Sequence, residues 1–386
     1  MFSHRTQWNL APNRFTEAQM KARESGGRIL DLTISNPTQA GFTFDRATIL
    51  GALNRAESLQ YDPEPKGLLV ARGAVADYYR ERGEPVDPDS VILTTSTSEG
   101  YSYLFRLLCN PGDEVLVPKP SYPLFDFLAD LDDVNLTPYL LLYDHGWHVD
   151  LPSLQNAVTK RTRAVVVVHP NNPTGSYASA AERQVLNEFC AKHNLALIVD
   201  EVFLDYSHDS QRQQSFAGNL EALTFVLSGL SKISGLPQMK LAWIAVSGRD
   251  AESALARLEV IADTYLSVNA PMQHAAKTLL EQRRGLQPML LQRVGENLTE
   301  LDRQLVTQKA CSRLELEGGW CATFRVPAIQ SDEDLAIDLL RETGILVHPG
   351  HFYDFPREGY LVMSLITPVQ DFREGVRRLL ERCSSR

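Results

Sequence analysis

Lys232 lies in the run Ser228-Gly229-Leu230-Ser231-Lys232, and Asp200 closes the apolar run Leu197-Ile198-Val199, 32 residues earlier. A lysine amine among small residues can form a Schiff base with an aldehyde. A carboxylate can keep a pyridine nitrogen protonated, so that the ring accepts electrons. Together these are the requirements of pyridoxal phosphate (PLP). A carboxylate at the end of a buried strand is costly without a partner. A protonated ring nitrogen would be one such partner; a helix cap or an ordinary ion pair would be another. Thr94-Thr95-Ser96-Thr97-Ser98-Glu99 places hydroxyls where a strand gives way to a helix. Free N–H groups at such a start suit a phosphate ester, and the same residues also read as a capping box. Tyr122, in Lys119-Pro120-Ser121-Tyr122-Pro123, follows another strand and could lie flat on a cofactor ring or simply fill the core. His169-Pro170-Asn171-Asn172-Pro173-Thr174-Gly175 is a turn by composition, in which the Asn172 amide could donate to a phenolic oxygen.

The elements that must position these residues alternate along the middle of the chain. Val91–Leu93, Glu114–Val117, Ala164–Val168, Leu195–Val199, Leu223–Leu227 and Leu241–Val246 read as buried strands, because continuous apolar runs suit a sheet covered on both faces. Glu99–Cys109, Tyr122–Leu131 and Ala180–His193 have helical spacing between them. Repeated strand, helix, strand predicts an α/β fold whose large domain has a mostly parallel central sheet flanked by helices. The pattern changes near Ala270 to long charged helices (Met272–Arg284, Met289–Lys309), a strand at Cys321–Val326 and a terminal helix from Val369 to Arg382. The expected division is a large cofactor-binding domain over 45–275 and a smaller α+β domain from 1–44 with 276–386.

Composition narrows the field. A formal charge of −10 argues against nucleic acid or an anionic membrane as partner. Five scattered cysteines without a CxxC pair read as reduced thiols, with no zinc site expected. The first ten residues show no signal-peptide core, and no run approaches the ~18 apolar residues of a membrane span. A cytoplasmic location is the expectation. No G-x-G-x-x-G follows the early strands, which sets aside a nicotinamide-binding reading.

Taken in order, Asn36-Pro37-Thr38, Tyr61 with Gly67, Ser96–Glu99, Pro111-Gly112-Asp113-Glu114-Val115, Asn172-Pro173-Thr174-Gly175, Asp200-Glu201, Ser231-Lys232 and Gly344 through Pro349-Gly350 make the chain resemble the class I/II, fold-type I PLP-dependent aminotransferases. The resemblance runs from about Leu30 to Leu380. It implies Lys232 as Schiff-base lysine and proton shuttle, Asp200 on the pyridine nitrogen, Asn172 on the phenolic oxygen and Tyr122 against the ring. Thr97, Ser98 and Ser231 would hold the phosphate, with Tyr61 reaching the site of a second subunit in a homodimer. Asn36 and His351 would border the substrate. The implied activity is ping-pong transfer of an amino group between an amino acid or amine and a keto acid.

Three positions depart from that pattern. Phe203 stands where the family has Tyr, so the phenolic oxygen loses one donor. Lys240 replaces the phosphate-binding Arg and offers a point charge without a bidentate fork. Val362 occupies the position of the Arg that takes the substrate carboxylate, which an apolar group cannot do. Arg325, His351 and Arg357 are the cations that sequence context offers in exchange. Otherwise the substrate lacks a free α-carboxylate. The same change leaves open a PLP-dependent lyase, decarboxylase or cyclase, since that Arg helps orient the bond to be broken.

Overall fold

The computed structural model describes residues 1–123, 125–209 and 214–384. The N-terminal segment carries a helix, Arg14–Glu24, and a two-residue strand β1 (Leu30–Asp31). The apolar runs of the middle then build one sheet from β2 (Val91–Thr94), β3 (Glu114–Lys119), β4 (Asn135–Tyr143), β5 (Trp147–Val149), β6 (Thr162–Val168), β7 (Ala196–Asp200), β8 (Thr224–Gly229) and β9 (Ala242–Ser247). Its order is β2-β9-β8-β7-β6-β3-β4-β5. The pairs β3–β4, β3–β6, β6–β7 and β7–β8 are parallel, while β9 runs against both β2 and β8. β2 therefore points the same way as β8.

Strands β6 to β9 are buried along nearly their whole length, as their unbroken Val, Ile, Leu and Ala content requires. The edge behaves differently. β4 is exposed or half-buried except at Tyr139 and turns back antiparallel through β5. Pro138 and the mixed polarity of Asn135–Tyr143 hide this hairpin from a search for buried strands; a proline fits an edge position. Helices at Thr97–Leu108, Phe125–Leu131 and Ala180–His193 fill the crossovers. The second starts three residues later than its apolar pattern suggests, which leaves Tyr122 in a loop. Leu124, inside that expected helix, lies outside the described residues. Two apolar clusters cover the faces of the sheet, one centred on Leu197, Val226 and Trp243 and the other on Ile198, Phe225 and Leu258.

Beyond the long helix Arg283–Leu305, the chain forms β10 (Ser312–Arg313), β11 (Cys321–Arg325), β12 (Ile345–Leu346), β13 (His348–Pro349), β14 (Tyr360–Ser364) and the helix Val369–Ser384. Strands β10, β11, β14 and β13 make a small antiparallel sheet. A third core holds this part together and includes Phe15, Ala18 and Leu32 from the N-terminal segment beside Phe324, Leu361 and Phe372. β1 pairs in parallel with β12, and the Ser364 N–H donates to the Leu32 carbonyl at 2.6 Å. Gly375 lets the last helix approach Leu32, whose side-chain carbon would lie 2.9 Å from a β-carbon there. The N-terminus is thereby tied to the C-terminal third.

Candidate active site

A cavity of about 400 Å³ opens between the carboxyl ends of the sheet strands and the small antiparallel sheet. Five segments reach it from the ends of β2, β3, β6, β7 and β8. They carry Thr97 and Ser98, Tyr122, Asn172, Asp200, and Ser231 with Lys232. Parallel strands deliver their following loops to one rim, which is why residues spread over 136 positions, from 97 to 232, share one space.

At one end of the cavity, Ser96 caps the helix Thr97–Leu108, its hydroxyl accepting from the Glu99 N–H at 3.2 Å. One oxygen of the Glu99 carboxylate, Oε2, is turned back on the turn itself. It accepts from the Thr95 N–H at 2.6 Å, the Thr95 hydroxyl at 3.1 Å and the Ser267 hydroxyl at 2.9 Å. That leaves the first-turn N–H groups of Thr97 and Ser98, which have no carbonyl within the helix, as donors for an anion. Gly229 lines the same end. A β-carbon there would sit 2.8 Å from the Ala242 Cβ and 2.9 Å from the Leu241 carbonyl oxygen, so only glycine lets the two strands close beside the cavity.

Asp200 lies deeper. Its carboxylate accepts from the Val202 N–H at 3.1 Å and the Tyr101 hydroxyl at 3.2 Å. Burial nevertheless raises its pKa to about 6, with these two bonds and the nearby Lys232 amine pulling the other way. Burial likewise lowers Lys232, against the attraction of Cys321 and Asp200. The Lys232 ammonium faces two aromatic rings, Phe203 at 5.3 Å and Trp320 at 5.0 Å, and its carbonyl accepts from the Tyr206 hydroxyl at 2.6 Å. The backbone of the lysine is thus anchored while its amine meets an apolar surround. The two asparagines of the turn after β6 separate clearly. Asn171 is spent on Pro120, Thr174 and Ser121, whereas Asn172 lines the cavity with its Oδ1 buried and unpartnered among the described residues.

The model of the aminotransferase class I and II family matches residues 28–379. The chain belongs to that family. It is 28% identical over 379 residues to the glutamate-pyruvate aminotransferase AlaA of Haemophilus influenzae, covering 93% of this chain and 92% of that one. It is 30% identical over 373 residues to an alanine aminotransferase of Mycobacterium bovis, covering 92% and 85%. An Escherichia coli aminotransferase structure superposes with a TM-score of 0.86 at 25% identity, over 100% of this chain and 98% of the other. The alanine aminotransferase of Pyrococcus furiosus gives 0.88 at 21%, over 100% of both chains. The protein is accordingly an aminotransferase of fold type I, and enzymes of this family use PLP.

Within this aminotransferase, six of the residues singled out from sequence lie outside the cavity. Lys240 is exposed and lies in the left-handed region (φ 51°) after the short turn Pro237–Met239. The Asn36 side-chain oxygen is taken by the N–H and hydroxyl of Thr38, at 3.0 and 2.9 Å. His351 is exposed and packs edge-on against Phe352. Tyr61, 84% exposed, borders a separate cavity of about 160 Å³ with Gly67 and Ser267. Arg325 and Arg357 are also exposed, Arg325 lying against the Tyr360 ring. The loop after β12 does reach the cavity, but through His348 and Tyr353. Trp320, Cys321, Val362 and Ser364 come from the small sheet, and Thr33 and Ser35 from the N-terminal segment. Only the strand periodicity could have separated His348 from His351 in the sequence: Val347 is buried in the core, and the next residue faces the other way.

Proposed function

We propose that the protein transfers amino groups by means of PLP held at Lys232, between a small-molecule amine or amino acid and a keto acid. The observation that carries this reading is the convergence on one cavity of an amine, a buried carboxylate, an asparagine amide and a helix start with free donors. When bound, PLP supplies an aldehyde that condenses with primary amines and a ring that takes up the electrons of a broken bond. Its phosphate would meet the N–H and hydroxyl groups of Thr97 and Ser98 and the Ser231 hydroxyl. The remaining net charge would fall to Lys240 only after its side chain folded back toward the rim. Asp200 would pair with the ring nitrogen, which lowers its own pKa from the raised value that burial imposes. Asn172 would donate to the phenolic oxygen, and Tyr122 would cover one face of the ring.

Lys232 has two tasks in this scheme. It would anchor the cofactor, and in its neutral form it would carry the substrate α-proton. The apolar surround that depresses its pKa favours that neutral form. The Tyr206 bond to its backbone keeps the amine within reach during both tasks. We further infer a cytoplasmic homodimer in which Tyr61, exposed here, completes the site of the second subunit. The overall charge of −10 supports small-molecule partners over nucleic acid. Borohydride reduction of PLP-reconstituted protein, followed by peptide mapping, is expected to place the reduced label on Lys232. Unlabelled protein, or a label elsewhere, defeats the reading.

A further inference from the structure

Among the described residues lining the cavity, the fixed charges are Lys232 and Asp200, and both are engaged with the cofactor in the reading above. The opposite wall contains a built but uncharged site. His348 Nδ1 and the Tyr353 hydroxyl lie 3.0 Å apart, and both residues line the cavity. If the hydroxyl donates to Nδ1, the ring keeps its hydrogen on Nε2. If Nδ1–H donates, the hydroxyl hydrogen is left over. Either way one neutral donor and one acceptor remain for a ligand. Burial lowers the His348 pKa and keeps the ring uncharged.

The neighbours of the pair reinforce this neutrality. Val362 stands directly across the β13–β14 pair from His348. Trp320, on the same wall, keeps its indole N–H buried without a partner among the described residues. The charge that acts on His348 is negative and comes from Asp31, a carboxylate held by the Thr33 N–H at 2.8 Å and hydroxyl at 2.6 Å. A carboxylate brought to this wall would lose its water and meet no cation among the described lining residues. A hydroxyl, amide or carbonyl would meet a matching donor.

We propose that the His348–Tyr353 pair is a specificity element, and that the amino donor is a primary amine bearing an uncharged polar group next to the reacting carbon: an amino alcohol, an amino-acid amide or an amino ketone. The inference rests on the cofactor reading above. The transfer itself balances as in any transamination. The donor C–N bond becomes C=O with oxygen from water, and the nitrogen and electron pair pass to the keto acceptor.

The test uses holoenzyme whose Lys232 label has first been verified. It is mixed separately with alaninol, alaninamide and alanine while the visible absorbance of the cofactor is followed. Alaninol and alaninamide are expected to react about tenfold or more faster than alanine, a site built for a polar group rejecting its mismatch at least that strongly. Tyr353→Phe and His348→Ala are each expected to raise KM for alaninamide about tenfold with a smaller change in kcat, the mark of lost binding. Without turnover, propionamide is expected to raise the melting temperature of the holoenzyme and propionate is not. Labelled enzyme that takes alanine as fast as the other two, that reacts with none of the three, or that is stabilised by propionate alone overturns the proposal and leaves the cofactor reading standing. Absence of the label at Lys232 overturns the cofactor reading instead.

Discussion

The two sides of the cavity are built on different plans. The floor, from Thr97 to Lys232, is made where consecutive strands of one sheet end, so each residue is placed by the strand immediately before it. The wall gathers Thr33, Trp320, Cys321, His348, Tyr353 and Val362 from segments that are distant in sequence and held together by the β1–β12 pair, the β11–β14–β13 sheet and a shared core. The floor is charged, hydrogen-bonded and matched to the family pattern. The wall is neutral, and it departs from the pattern at the carboxylate-binding position. Attachment of a cofactor and choice of a substrate are thus separate structural problems in this chain.

If that division holds, damage to the floor is severe and independent of which amine is offered. Lys232→Ala is expected to lower the turnover of every donor by ~10⁴-fold or more, since both the anchor and the proton carrier are gone. A donor-dependent loss in single-turnover measurements contradicts the division. Asp200→Asn comes next, with a fall in turnover of roughly 10²–10³-fold from a lost electrostatic partner.

Asp200→Asn has an opposite effect on the cofactor-free protein. Burial raises the Asp200 pKa from 3.8 to about 6, so its contribution to stability is fully present below 3.8 and is lost as pH rises through about 6. At pH well above 6 the cofactor-free variant is expected to be more stable than wild type, by on the order of 1–3 kcal/mol in denaturant titrations. The advantage should vanish in acid. For the wild type, cofactor affinity should weaken as pH falls through that same window, because the carboxylate must be ionised to pair with a cation.

Gly229→Ala tests the closeness of the floor. The added carbon would meet Ala242 and the Leu241 carbonyl, an overpacking expected to cost about 1–3 kcal/mol in thermal or denaturant unfolding. An unchanged melting temperature would show that the strands have room to part. The smallest effect is expected from Phe203→Tyr. A new donor near the phenolic oxygen drains charge from it, so the pH midpoint of the visible cofactor band should fall by about one unit or less. No separation from wild type would mean that Asn172 already saturates that oxygen.

The same contrast explains what could be read from sequence. The core strands were legible because Ala164–Val168 and Leu195–Val199 are continuous apolar runs, and the floor followed because a motif after a strand stays at the end of that strand. The β4–β5 edge was not legible, since a half-exposed strand with Pro138 lacks that signature. On the wall, Val362 was identified from its departure, but its neighbour was not. His348 meets it through strand register, a long-range pairing that no local pattern announces, whereas His351 is the more exposed of the two. Residue type and spacing alone carry no information on the side-chain direction of Lys240, which is exposed on a left-handed backbone.

The Ser364–Leu32 hydrogen bond ties the N-terminal strip to the small sheet that carries Val362 and His348, and the separate β1–β12 pair fixes that strip just before His348. Mutational drift in that assembly can therefore reshape what the enzyme accepts without touching the residues that make it an enzyme. A lineage carrying this architecture can explore new amines while its vitamin chemistry stays intact.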